Sequence, residues 1–379
     1  MTGTIGLLGA SGKVGQGAAE LLLGASGCRL VLGGRDTDKL RGQYGELAKS
    51  AHLIKVDIFD DEALLAFCGE CDVVINCAGP AKRIQDRVAL AALRQKAHYV
   101  DAAGDERLYR QLMEHLPELE AKRLSFIVSA GIYPGLSEVL PAYVSQTYFN
   151  EVEQLELFFA GAGDFSVSAA YDIVCSIEEG TGMGMAYCLN GEASKISGPF
   201  RQTYTFPLPA GKRDAYPVLN LEFLEMARRN RLRSAWFYNT YPDRAMLAKF
   251  MTIKALQQYK TEEQKMTSAR MLSEHYAASG SSGRSYAQYQ LLAKGTKDGR
   301  KLELSSQLLY SGDWNRLSGI VAASTAQLVL EDGGAEPGCF FASQGVNPGR
   351  MIEALRLQNA VFTCSIFEPE GGRHEQQRP

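Results

Sequence analysis

Ile5-Gly-Leu-Leu-Gly9-Ala-Ser-Gly12-Lys-Val-Gly15 decides how the chain is read. Ile5, Leu7 and Leu8 form the apolar run of a strand buried on both faces. Gly9, Gly12 and Gly15 follow at the spacing G-x-x-G-x-x-G, just before the helical run Gln16–Leu23. The first glycine permits a sharp turn, the second lets backbone approach a diphosphate, and the third lets the helix lie close on the strand. Unpaired N–H groups at the start of that helix, with its dipole, attract the same group. Gly9, Ser11, Gly12, Lys13 and Val14 are therefore the candidate contacts to a dinucleotide's diphosphate, with Ser11 offering a hydroxyl and Lys13 a charge.

The flanking sequence gives this turn its context. Arg29-Leu-Val-Leu-Gly33 is a second apolar strand that ends at Gly34-Arg35-Asp36. At this strand tip a carboxylate takes the ribose 2′-OH of NAD, whereas an arginine takes the 2′-phosphate of NADP. Arg35 occupies the tip, and a carboxylate at Asp36 must turn away from a 2′-phosphate, so the spacing predicts NADP(H). The βα rhythm continues through helix 38–49, strand 52–57, helix 61–68, strand 71–76, helix 84–96, strand 97–101, helix 107–115 and strand 124–129. Six alternating strands predict a Rossmann-type doubly wound parallel sheet, of class α/β. Asp57, at the end of its strand, is placed either to accept from an adenine amino group or to cap its loop. Cys77, Ala78 and Gly79 leave the fourth strand as small residues that would let ribose and nicotinamide lie close to backbone.

The chain has 379 residues and a formal net charge of −3. That length allows a second domain, and there is no basic surplus to favour nucleic acid or an anionic membrane. No apolar run approaches the ~20 residues of a spanning helix. A strand begins within the first few residues, so a cytoplasmic protein is expected. Eight cysteines lie scattered through apolar elements and read as reduced thiols. Cys68-Gly-Glu-Cys71 closes a helix instead of opening one, so neither redox chemistry nor a metal site is expected from it.

Beyond residue 150 the pattern changes. Residues 154–160 alternate as a strand, 169–178 read as helix, and 284–295 with 300–310 form strands joined by Thr296-Lys-Asp-Gly299, a hairpin signal. Trp236–Tyr241 is expected at an edge of the same sheet, and 243–278 reads as helical and polar. Ser279-Gly-Ser-Ser-Gly283 reads as a flexible joint. An apolar helix at 317–330 leads to a short strand, a helix from Pro348 and a last strand. The organisation expected is a dinucleotide-binding domain at 1–145, an inserted α+β substrate and dimerisation domain at 146–312, a segment at 313–367 returning to the first domain, and a disordered tail at 368–379.

Gly9-Ala-Ser-Gly12-Lys-Val-Gly15, Gly33-Gly-Arg35, Asp72-Val-Val-Ile-Asn-Cys-Ala-Gly-Pro80, His98-Tyr-Val-Asp-Ala-Ala-Gly104 and Ala130-Gly-Ile-Tyr-Pro-Gly135 occur in that order. This series resembles the signatures of saccharopine dehydrogenase-like proteins with an NADP-binding domain, over roughly residues 3–145. The resemblance implies a Rossmann domain with an inserted substrate domain, a homodimer, and reduction of a C=N bond to a secondary amine by NADPH. Chain length and architecture are also similar to the thiazolinyl imine reductases of enantio-pyochelin-type siderophore assembly. That likeness implies a ring imine tethered to a carrier protein of a non-ribosomal peptide synthetase.

Reducing an imine requires the acceptor carbon beside the nicotinamide, one positioned acid, and a carboxylate or dipole to stabilise positive charge. Asp101, Tyr133, Tyr171 and Asp172 are the candidates. Asp101 ends the fifth strand and serves either the charge or a turn. Tyr133 lies in the turn after the sixth strand, as donor or as packing. Tyr171 and Asp172 begin a helix after a glycine-rich loop, where Asp172 serves the substrate or the helix dipole. His98 begins a strand and reads as structural. A polycarboxylate substrate would call for arginine clamps, and Arg228, Arg229, Arg231 and Arg233 instead form a solvent-facing basic helix end. Phe165, Tyr171, Tyr187, Tyr204, Trp236, Tyr238 and Tyr241 either line a pocket suited to a flat heteroaromatic imine or belong to the core. Two other classes stay open: an enoyl reductase acting in trans, which needs an acyl tunnel, and a nucleotide-sensing protein that turns nothing over.

Overall fold

The structure is a computed structural model that describes residues 3–25, 27–198, 200, 202–241, 244–279, 285–331 and 335–368. It divides into two units. The first comprises residues 1–136 and 315–358, and the second 137–314 and 359–379.

The first unit is built from β1 (Thr4–Leu8), β2 (Arg29–Gly34), β3 (Ala51–Lys55), β4 (Val73–Asn76), β5 (His98–Asp101) and β6 (Ser125–Val128). The second holds β7 (Glu151–Ala162), β8 (Met183–Gly184), β9 (Ala186–Leu189), β10 (Glu192–Lys195), β11 (Gln202–Thr205), β12 (Lys212–Leu219), β13 (Ser234–Thr240), β14 (Tyr286–Lys297) and β15 (Arg300–Tyr310). Two strands follow, β16 (Gly338–Phe341) and β17 (Ala360–Phe367).

The first sheet is parallel throughout, in the order β16-β6-β5-β4-β1-β2-β3. Its strands are short and apolar because helices cover both faces, and Ile5, Leu7, Val31, Val74, Ile75, Val100 and Ile127 are fully buried. From β1 the chain runs outward through β2 and β3, then crosses to β4 on the other side. The reversal of strand order falls between β1 and β4, where an open α/β sheet leaves a crevice at its carboxyl edge.

The helix Lys13–Gly24 after β1 is gripped by the helix Trp314–Leu330. A Cβ on Gly17 would lie 2.7 Å from Arg316 Cα, and one on Gly319 would lie 2.5 Å from Ala18 N, so the two backbones touch where side chains are missing. Arg316 also pairs with Glu20 across this contact.

The second unit carries a mixed sheet in the order β10-β9-β13-β7-β14-β15-β17, with β12 joining β13, β11 and β8. The β14–β15 hairpin turns at Asp298 and Gly299, both at positive φ, as a tight two-residue turn requires. Helices Val167–Glu179, Arg244–Ala255 and Glu262–Ser279 pack together around Val174, Met246, Ile253 and Leu272.

Several expectations are corrected. Trp236–Tyr241 is not an edge: β13 lies between β7 on one side and β9 with β12 on the other. The boundary after the first domain falls at 136/137 instead of 145. The segment expected to return to the first unit is divided, since β16 pairs with β6 whereas β17 pairs with β15 in the second sheet. Residues 280–283 of the expected joint and residues 369–379 of the expected tail lie outside the described residues.

Among the described residues no helix is long and apolar enough to cross a membrane. Gly17→Val is expected to destabilise by about 3 kcal/mol through overpacking and to lower Tm by roughly 5 °C or more in thermal unfolding. Gly42→Ala, a helical site with no neighbour within 4 Å of a Cβ, is the control and should raise stability slightly.

Candidate active site at the carboxyl edge of the first sheet

Gly9 adopts φ +80°, and a Cβ there would lie 2.5 Å from Ala78 N, so the turn after β1 passes directly against the chain leaving β4. Cys77 N donates to Leu8 O at 3.0 Å, and Gly12 N donates to Gly9 O at 2.9 Å, closing the turn. A Cβ on Gly15 would lie 2.7 Å from Gly9 C, which brings the helix onto the turn. Gly12, the N-cap, would meet only Gly9 O, at 3.4 Å. The protein itself leaves room there, as backbone that receives a ligand requires. The helix has no acidic residue in its first turn to offset its positive end.

Two side chains brace this turn from the helix Thr37–Tyr44. Tyr44 OH donates to Ala10 O at 2.5 Å and Gln43 Nε2 to the same oxygen at 3.2 Å. Burial pushes the Tyr44 hydroxyl up to about 12, so it stays a donor. The sequence reading missed both residues; a buried tyrosine ending a polar helix was the available signal.

Arg35 follows β2 and is exposed. Asp36 is turned away from the crevice's strand tip, because its Oδ1 accepts from Lys39 N at 2.9 Å and caps the helix Thr37–Tyr44. Asp57 is exposed and its Oδ1 accepts from Phe59 N at 3.0 Å, so of its two readings the structure displays the loop cap.

The ends of β4 and β5 are locked by a buried polar network. Asn76 Nδ2 donates to Asp101 Oδ2 at 3.1 Å, Tyr99 OH donates to the same oxygen, and Ala103 N donates to Asp101 Oδ1 at 2.8 Å. Asn76 Oδ1 accepts from Ala78 N at 3.1 Å, holding the Cys77-Ala78-Gly79 exit. Asp101 is 2% exposed, and burial raises its carboxyl above the usual range despite these donors. Burial, followed by the nearby Asp101 charge, also raises the Cys77 thiol, which is therefore no thiolate nucleophile. Asp101 thus acts as an acceptor that ties two loops together. Desolvation lowers the His98 imidazole, and its Nδ1 accepts from Ser125 N at 3.0 Å in a structural role.

Beside this network lies a chamber between the helices Ala81–Ile84 and Glu106–Met113. Lys82, whose side chain is 8% exposed, pairs there with Asp105. Asp105 also caps the second of these helices, Oδ1 accepting from Arg107 N at 3.0 Å and Leu108 N at 3.1 Å. Gln111 Oε1 lines the same space, is buried, and has no hydrogen-bond partner among the described residues. Lys82, Asp105 and Gln111 were not singled out as site residues from sequence.

Tyr133 lies half-buried in the turn after β6, where Gly131 and Gly135 pair and Ala130 N donates to Asp101 O at 2.7 Å. Tyr133 and Asp101 therefore belong to the same sheet edge.

Residues 5–126 match the saccharopine dehydrogenase NADP binding domain family. This NADP-binding domain covers β1 to the start of β6, and all ten residues expected to hold cofactor fall inside it. Across 96% of the chain, and all of the other protein, the fold is similar to apo histidine-tagged saccharopine dehydrogenase (L-Glu forming) from Saccharomyces cerevisiae. The TM-score is 0.69 and the identity 15%, a likeness of fold. A C. glutamicum DAP dehydrogenase in complex with DAP matches less closely, with 13% identity and a TM-score of 0.46 over 94% of this chain and 98% of its own. A Caenorhabditis elegans lipid droplet localized protein is 25% identical over 175 residues, which span 42% of this chain and 41% of that protein.

The residues present fit such a cofactor: a diphosphate cradle that a side chain at Gly9 or Gly15 would fill, a cationic Arg35 at the β2 tip, and an Asp36 already committed to a helix. Tyr171 and Asp172 belong to the second unit, and their expected place is corrected. The helix begins at Val167 under the Ser166 cap, which puts both residues in its body. Tyr171 falls on the buried stripe with Val174, is 3% exposed, and donates to Glu262 Oε2 at 2.8 Å. Asp172 is half-exposed mid-helix, away from the helix start.

The aromatic side chains read as a substrate pocket stack on each other. Tyr187 and Trp236 lie 3.7 Å apart, Tyr238 and Phe158 4.6 Å, and Phe158 and Tyr204 4.1 Å, forming a row across the second sheet.

Arg35→Ala is expected to weaken NADPH binding by about 10- to 100-fold, the worth of charge-assisted hydrogen bonds to one phosphate, while leaving NADH affinity unchanged. Fluorescence titration with both cofactors measures the ratio; an unchanged ratio assigns the 2′-phosphate elsewhere.

Proposed function

We propose that the protein is an NADPH-dependent reductase that converts a C=N bond to a secondary amine. The carrying observation is that one sheet edge combines a diphosphate turn and Arg35 with a chamber at the ends of β4 and β5 that holds the paired Lys82 and Asp105. The bound cofactor would supply hydride. The chain's own residues would receive it at the glycine turn and the start of the helix Lys13–Gly24, keep the β4 and β5 loops rigid through Asn76 and Asp101, and leave the chamber lined by Lys82, Asp105 and Gln111.

Protonation turns an imine into an iminium that accepts hydride readily, so the paired Lys82 and Asp105 beside the cofactor's path suit C=N. The thiazolinyl imine borne by a carrier protein is the specific substrate suggested by sequence resemblance. The aromatic row no longer supports it, because those rings are occupied by one another. The proposal therefore rests on the reaction class.

NADPH oxidation against thiazolinyl and other cyclic imines, linear imines and enoyl thioesters tests it. Turnover with at least one imine, about tenfold or more above any enoyl thioester, is expected. Turnover of enoyl thioesters alone would replace C=N by C=C. Tight NADPH binding with no turnover of any acceptor would leave a nucleotide sensor.

A further inference from the structure

We propose that Lys82 donates the proton to the substrate atom being reduced, with Asp105 as its positioning residue. This deepens the reductase reading and rests on it.

The diphosphate turn sits at the end of β1 and Arg35 at the end of β2, so the phosphorylated ribose belongs on the β2 side. The other half of the dinucleotide then runs over the ends of β4 and β5, where the chamber holding Lys82 lies. A surface lysine keeps its ammonium in water, but the Lys82 side chain is 8% exposed. Sheltering that charge costs several kcal/mol unless it is paired, and Asp105 meets this need. Asp105 is itself held by Arg107 N and Leu108 N, so it fixes where the ammonium points. Gln111 Oε1, buried in the lining without a partner, marks a second polar contact that a substrate N–H or O–H would complete.

Two other proton-bearing side chains at this edge, Asp101 and Tyr99, are committed. Asp101 accepts from Tyr99, Asn76 and Ala103 N, and the Tyr99 hydroxyl is spent on Asp101. In the step, the imine nitrogen would take a proton from Lys82 Nζ, breaking one Nζ–H bond, while the imine carbon would take the hydride that bound NADPH supplies at the expense of its own C–H bond. One N–H and one C–H bond form on the substrate, the C=N π bond breaks, and the cofactor would end oxidised by two electrons. The neutral amine of Lys82 regains its proton from solvent. The charged groups lining the chamber with Lys82 are Asp101 from β5, and Asp105 and Arg107 from the segment 105–113.

Lys82→Arg decides between donation and structure, because arginine keeps the ion pair but holds its proton at every working pH. With the acceptor that the wild type reduces best, K82R should lose about 100-fold or more in kcat, keep its NADPH affinity, and lack the fall in rate at alkaline pH expected of the wild type. The K82M/D105N double variant, which strands no buried charge, should behave alike. Independently of turnover, acylation of Lys82 followed by peptide mass spectrometry should be suppressed by NADP+ and unaffected by 2′-phospho-ADP-ribose, which lacks the nicotinamide.

K82R or K82M/D105N turning over within about threefold of wild type would overturn the proposal, as would Lys82 acylation indifferent to NADP+. If the wild type reduces a C=O or C=C acceptor and no imine, the C=N reading falls. The same variants on that acceptor still decide the role of Lys82.

Discussion

Everything at the carboxyl edge depends on backbone meeting backbone where side chains are absent. The turn after β1 can lie against Cys77 and Ala78 only because residue 9 has no Cβ, and the following helix can settle on that turn only because residue 15 has none. The same helix is held from another side by Gly17 and Gly319. Its amino terminus is thus located by four glycines, with Tyr44 and Gln43 gripping the Ala10 carbonyl. A positive helix end fixed this firmly loses little entropy when it meets an anion, and that preorganisation makes the turn a binding device.

One strand over, the constraint is polar. Asp101 is buried among donors supplied by β4, β5 and the loop after β5, and its raised carboxyl shows that desolvation outweighs them. Such a network rigidifies while fully satisfied and is expensive when broken. It keeps the small residues 77–79 and the 102–104 loop in register with the glycine turn. The chamber around Lys82 and Asp105 inherits that rigidity from both sides.

The first sheet was legible because each strand is a short apolar run closed by Gly, Asn or Asp, and helix-forming residues separate the runs. Even the turning-away of Asp36 followed from charge alone. The second sheet was less legible between residues 183 and 219, where strands of two to eight residues carry few apolar positions. With β9 and β12 unrecognised, β13 looked like an edge. Tyr171 was misplaced by helix phase: reading the helix two residues late hid the fact that it shares a buried stripe with Val174 and Cys175. Lys82 was invisible for a different reason. Its partner Asp105 lies far along the chain, and only the parallel pairing of β4 with β5 brings their exits side by side.

The order in which strands are laid down carries a consequence for biosynthesis. β16 adds the strand beside β6 in one sheet and β17 the strand beside β15 in the other, and both come from residues 338–367. During translation β6 and β15 each keep one side of N–H and C=O groups unpaired until those residues emerge from the ribosome. A nascent polypeptide of this design has a marked need of chaperone cover while that stretch is still in the exit tunnel and most of both units has already been made.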